Sequence, residues 1–199
     1  MADEEKEEKS KESDKDILED AKKGLKACLD SEETERMKMK DDLHFCTLDQ
    51  LPADIRRARE NDLQNGPRPC LTIDKINQYI VQVVNDMRQN RPAIKTRPVD
   101  DEADVETAKI FQGLLRHIED QSSASVAYET GGEWAVKVGL GYFRVVTEYD
   151  SDKTSDQNIC IKRIPNAFNV YLAPHDMPDG SDSEYGFVFE DIPIQTFKR

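Results

Sequence analysis

The sequence holds no run of about 18 apolar residues, the length a bilayer-spanning helix needs. Met1-Ala2-Asp3-Glu4 cannot open a secretory signal, which starts basic and continues apolar. The chain is therefore expected to be soluble, made in the cytosol and without a membrane partner. Positive charge is short: 28 Lys and Arg against 41 Asp and Glu leave a formal net charge of -13. That excludes a nucleic-acid clamp, which needs a basic surface to displace counterions from phosphate. It does not exclude a surface that DNA passes without sticking. The four cysteines, Cys28, Cys46, Cys70 and Cys160, lack metal-ligand spacing and a secreted context, and read as reduced thiols. The three histidines, His44, His117 and His175, have no paired nucleophile or ligand spacing. Phosphate-cradling loops are missing as well. Gly139-Leu140-Gly141 lacks the third glycine of G-x-G-x-x-G and follows a predicted helix, and there is no G-x-x-x-x-G-K-[ST]. The residues thus supply no catalytic, cofactor-binding or metal site, and no cofactor is expected.

At 199 residues the chain fits one domain with an appended tail, and is long enough for a real core. Residues 1–16 alternate Glu, Lys, Asp and Ser with no apolar residue after Ala2. Such a segment buries too little to offset chain ordering, so a charged disordered tail is expected. Residues 17–66 read as a helical N-terminal segment. Ile17, Leu18, Ala21, Leu25 and Cys28 give a thin stripe, with Gly24 a weak spot, and Ser31-Glu32-Glu33-Thr34-Glu35 can start a second helix through Leu43. Asp49-Gln50-Leu51-Pro52 breaks it. Pro52 to Glu60 fits a short helix before the turn-prone Asn65-Gly66-Pro67.

Residues 67–199 read as an α+β core, helix-rich with a small antiparallel sheet in the C-terminal third. Ile73, Ile76, Ile80, Val83 and Met87 recur at three and four, one apolar stripe of a helix with Thr72 as N-cap and Asn90-Arg91-Pro92 as its stop. The acid-rich Asp100-Asp101-Glu102-Ala103-Asp104 invites a metal reading but lacks EF-hand spacing; carboxylates at a helix N-terminus are the simpler account. The helix it opens carries Val105, Ala108, Phe111, Leu115 and Ile118, with His117 near its end. Ser122-Ser123-Ala124-Ser125 supplies a turn and a new N-cap. The next helix has Ala127, Thr130, Trp134 and Val138 on a stripe, and Trp134 is expected to be substantially buried. Gly131-Gly132 predicts a kink or a close backbone approach. Tyr142 to Tyr149 alternates as a strand, with Phe143, Val145 and Tyr149 on one face, and Ile159 to Ile164 suggests its antiparallel partner. Asn169-Val170-Tyr171-Leu172 and Gly186-Phe187-Val188-Phe189-Glu190 are two further short strands around a Pro/Asp/Gly/Ser loop. Asp191-Ile192-Pro193 turns into a helix whose apolar face, Ile194 and Phe197, is only begun, so the chain is expected to stop inside an element of a longer protein and not to form a full ring alone.

In these segments the sequence resembles the portal (head-to-tail connector) proteins of short-tailed bacteriophages. The matching text is Asp42-Leu43-His44-Phe45, Arg68-Pro69-Cys70-Leu71-Thr72-Ile73 and the run Gln82-Val83-Val84-Asn85-Asp86-Met87-Arg88-Gln89-Asn90-Arg91-Pro92-Ala93-Ile94-Lys95. It continues through Val99-Asp100-Asp101, Asp104-Val105-Glu106-Thr107-Ala108, Leu114-Leu115-Arg116-His117-Ile118-Glu119 and Gly141-Tyr142-Phe143-Arg144-Val145. It covers about Glu32 to the last residue. Leu51 stands where the family usually has tryptophan before the proline, and Gly131-Gly132 replaces bulkier residues. The resemblance implies the N-terminal, wing-side portion of a non-enzymatic virion protein synthesised in the host cytoplasm. Such proteins form a dodecameric ring at the capsid portal vertex and conduct double-stranded DNA without sequence-specific binding during packaging and ejection. The partners it implies are further copies of the chain, capsid and scaffolding proteins, terminase, and head-completion or tail proteins. Two other readings stay open: a stand-alone virion or adaptor protein with a portal-like fold and no channel, and a metal-dependent hydrolase using Asp100, Asp101 and Asp104.

Overall fold

The computed structural model describes residues 2–61, 66–90, 94–98, 105–151, 154–177 and 179–197. The architecture is α+β: helices dominate, and the strands pair as two separate antiparallel ribbons in the C-terminal part. The chain forms two compact units, Met1–Lys38 with Phe168–Arg199, and Met39–Ala167.

Ala2–Cys46 is one helix, α1. The backbone of residues 2–16, expected as a tail, is helical, and the two helices expected between Ile17 and Leu43 run together without a break. Glu, Lys and Ala are strong helix formers, so propensity favours helix there even without an apolar face. Every side chain from Asp14 to Lys23 is exposed, Ile17 and Leu18 included. The covered face begins only at Gly24 and Leu25 and continues through Cys28, Glu32 and Arg36.

In the first unit that face meets a small ribbon, β3 (Val170–Leu172) paired with β4 (Gly186–Val188). The Phe189 N–H donates to the Asn169 carbonyl at 2.8 Å and the Ala173 N–H to the Tyr185 carbonyl at 2.9 Å, extending the pairing at both ends. Gly24 is where the aromatic rings lie. A Cβ there would stand 3.3 Å from the Tyr185 ring and 3.5 Å from the Phe187 ring, themselves packed edge to face. The weak spot in helix propensity is thus a recess for side chains. Cys28 is fully buried one turn on. The short helix α6 (Ile194–Phe197) follows Pro193, whose carbonyl accepts the Phe197 N–H.

The second unit contains α2 (Ala53–Glu60), α3 (Asn77–Gln89), α4 (Val105–Gln121), α5 (Ala124–Val138), β1 (Phe143–Tyr149) and β2 (Gln157–Arg163). Helix α3 starts at Asn77, later than the expected Thr72, because the Asp74 carboxylate accepts the Asn77 N–H at 3.0 Å. Ile73 is left outside, 67% exposed. The buried residues are Ile80 and Val84, with Ile76 partly covered, so the stripe runs at steps of four through Val84 and not through Val83 and Met87. The core is thin: Ala124 and Ala127 of α5 with Ile161 of β2, flanked by Ile118 and Tyr128. Helix α4 buries no residue completely. Ala108, Leu115 and Ile118 are partly covered, whereas Ile110 and Phe111 remain 71% and 55% exposed. β1 and β2 pair with Val145 opposite Ile161. On the predicted face of β1, Phe143 meets the Tyr128 ring edge to face at 5.1 Å, but Val145 and Tyr149 stay exposed. Trp134, expected to be substantially buried, is half-buried; its indole N–H donates to the Pro165 carbonyl at 2.9 Å.

Candidate functional site

A concave site lies in the second unit. It forms where α5 passes the turn between α5 and β1, and Gly139 and Gly141 in that turn make the crossing possible. Gly139 ends α5 in the left-handed region at φ 90°, donating its N–H to the Ala135 carbonyl. The chain then doubles back so closely that a Cβ on Gly141 would stand 2.7 Å from the Gly131 carbonyl carbon and closer to its oxygen. Gly131 faces the backbone of Tyr142, and Gly132 faces the Met87 thioether of α3. Helix α5 runs unbroken through both glycines, so they make no kink; the Tyr142 backbone passes Gly131 at ordinary contact distance, and the tight approach is made by Gly141.

Gly131, Gly132 and Gly141 line a cavity of about 510 Å³, together with Met87, Asn90, Ile94, Ala135 and Phe143. Its polar wall comes from α4 and α5. The Tyr128 hydroxyl donates to Glu119 Oε1 at 3.1 Å, and Arg88 Nε donates to Glu129 Oε2 at 3.1 Å. Burial, and after it the bond to Glu119, pushes the Tyr128 phenol above the ordinary tyrosine pKa. An apolar cavity with two carboxylates and a neutral phenol is equipped to bind.

The first unit carries a polar clamp that the sequence reading missed. Arg36 Nε donates to Glu32 Oε2 at 2.7 Å, Nη1 to the Phe168 carbonyl at 2.9 Å and Nη2 to the Val170 carbonyl. The guanidinium lies 3.5 Å from the Tyr171 ring centroid. Glu32 completes the arrangement by accepting the Leu172 N–H at 2.8 Å. Both side chains are about 15% exposed, so these charge-assisted bonds are sheltered from water. The available signal was spacing: Gly24, Cys28, Glu32 and Arg36 fall at steps of four on one line of α1.

Of the residues weighed from sequence, the described ones are not gathered into one place. Asp100, Asp101 and Asp104 lie outside the described residues. His44 Nδ1 stands 3.4 Å from Asp49 Oδ2 on the surface, His117 is exposed on α4, and His175 Nδ1 is bonded to the Ala173 carbonyl oxygen. Ser123 occupies the N-cap of α5 in the left-handed conformation without a side-chain cap bond. In the loop between β3 and β4 the aspartates serve their own backbone. Asp182 accepts the Asp176 and Met177 N–H groups and Asp179 accepts from the Ser181 hydroxyl and N–H, and these bonds hold both carboxyls below the usual carboxylate range. Among the described residues no cluster of three or more His, Cys, Asp or Glu is placed to hold a metal ion. The four thiols are free. Burial, reinforced by Glu32 at Cys28 and by Asp42 at Cys46, raises the pKa of those two. No described helix is long and apolar enough to cross a membrane.

Two comparisons bear on what such an assembly belongs to. The sequence model of a family described as "Phage P22-like portal protein" matches residues 22–199. A portal protein of Acyrthosiphon pisum secondary endosymbiont phage 1 is 27% identical over 135 residues, which is 65% of this chain and 19% of that protein. The chain therefore aligns with about a fifth of the length of that relative.

Proposed function

Because the chain belongs to the Phage P22-like portal protein family, we propose that it is the N-terminal, wing-side part of a structural phage portal subunit without enzymatic activity. The subunit assembles with copies of itself as a dodecameric ring at the capsid vertex and conducts double-stranded DNA during packaging and ejection. The observation that carries this reading is the extent of the family match, which takes in almost all of both units. The acidic balance of -13 supports it physically, since a basic lining would bind phosphate and brake a moving duplex. The partners of the assembled ring are capsid and scaffolding proteins, terminase, and head-completion or tail proteins. The ring resides in the virion after synthesis in the host cytoplasm.

The test uses the gene with the DNA that follows its Arg199 codon. The full translated product should form closed rings with an axial channel in negative-stain microscopy, and interrupting the gene should leave heads empty of DNA. The 199-residue chain alone should remain a monomer or small oligomer. DNA-filled heads after interruption would overturn the portal reading. A stop codon directly after Arg199, with the product seated in virions and no ring of its own, would establish the adaptor alternative.

A further inference from the structure

The cavity beside the glycine crossing carries an unbalanced charge. Glu119 is half-buried on its wall, and its hydrogen bond comes from the neutral Tyr128 phenol. Among the described residues no Lys, Arg or His stands within ion-pair distance of it. Glu129 on the same wall differs, because Arg88 lies 3.1 Å away. A carboxylate held against apolar surface gives up part of its hydration, and here no counter-charge replaces it.

That combination selects its occupant. An anion is repelled. A neutral apolar group would cover Met87 and Phe143 but dehydrate Glu119 further. A cation on an apolar stem supplies the missing charge and covers the apolar wall together. The volume of about 510 Å³ admits more than a single side chain. The net charge of -13 adds long-range attraction for a basic partner. We propose that this cavity docks a partner polypeptide through a lysine or arginine flanked by apolar residues, its cationic head on Glu119 and its stem against Met87 and Phe143. The inference rests on the cavity's own chemistry and does not depend on the portal reading.

The experiment titrates the full chain with the blocked tripeptide leucyl-lysyl-leucine and follows backbone amide shifts by NMR. Saturable shifts are expected at Gly131, Gly132 and Gly141. Glu119→Gln should weaken binding by about tenfold or more, the scale of a lost charge-assisted hydrogen bond. Tyr128→Phe keeps the carboxylate and should bind within about threefold of the parent. The proposal falls if the glycine amides do not move, or if the peptide with norleucine in place of lysine binds equally well. It falls equally if Glu119→Gln, folded by its amide spectrum, keeps full affinity. Spermidine binding as tightly as the peptide would assign the site to free polyamines and overturn the polypeptide occupant.

Discussion

Replacing Gly141 by alanine puts a methyl group where main chain already lies. The new Cβ would stand 2.7 Å from the Gly131 carbonyl carbon and 3.0 Å from the Ala135 nitrogen. Non-bonded carbons settle at about 3.5–4.0 Å, so the turn and α5 must part by about an ångström. The obstacle is the backbone of a helix interior, which cannot rotate aside as a side chain can. Parting them also disturbs the contact of Phe143, two residues on, with the Tyr128 ring. Overpacking costs about 1–3 kcal/mol and an aromatic pair is worth about 0.5–1.5 kcal/mol, so Gly141→Ala should cost about 2–4 kcal/mol. The reciprocal change is the control. A Cβ on Gly131 meets the Tyr142 carbonyl oxygen at 3.5 Å, an ordinary contact, and alanine in a helix interior gains about 1 kcal/mol over glycine. Gly131→Ala should therefore be neutral or stabilising. Urea unfolding followed through Trp134, the single tryptophan and a member of the same unit, reads both. Equal losses in the two variants, or an unshifted midpoint for Gly141→Ala, would refute the steric account.

Three further outcomes are expected. Arg36→Ala should cost about 2–4 kcal/mol because Glu32 and two carbonyls lose their cation, while Arg36→Lys, unable to reach both carbonyls, should cost about half of that. Amide exchange of Leu172 reports it, and unchanged protection would mean that the clamp does not hold the ribbon. Trp134→Phe should cost about 1 kcal/mol for the lost bond to Pro165, and Trp134→Ala about 2–3 kcal/mol, below the cost at a fully buried site; quenching by iodide as complete as for free indole would contradict this. Tyr128 should ionise later than an ordinary tyrosine in an ultraviolet titration. Its folded phenol holds the proton more tightly than an ordinary tyrosine at 10.0, so its contribution to stability is whole below about pH 10 and fades as pH rises through the folded value. In Glu119→Gln that late transition should move down only part of the way, since burial is the larger cause.

Local signals carried much of the fold. Pro52 and Gly139 mark helix ends, and alternation found both strands of the β1–β2 ribbon. Legibility failed where a boundary or face is decided by what packs on it. Thr72 and Asp74 are both good caps, and sequence does not say that Asp74 turns its carboxylate onto Asn77. Val83 and Val84 are equally apolar, and the choice between them depends on what covers α3. No local pattern singled out Glu32 and Arg36, whose main partners stand more than 130 residues away. The cavity was invisible for the same reason, since it joins the ends of α3 and α4, the middle of α5 and the start of β1.

The first unit is discontinuous in sequence, and that sets an order of events during synthesis. Arg36 leaves the ribosome with the first stretch of chain, yet Phe168, Val170 and Tyr171 follow only after the whole of Met39–Ala167. At about 5–20 residues per second that is a delay on the order of ten seconds. During it Cys28 and the recess at Gly24 have no rings to cover them, and by its end every segment of the second unit has been delivered. The second unit is thus free to fold first, as an insertion in the sequence of the first. A ribosome stalled where Ala167 has just cleared its exit tunnel would hold a complete second unit and an α1 that still lacks its ribbon.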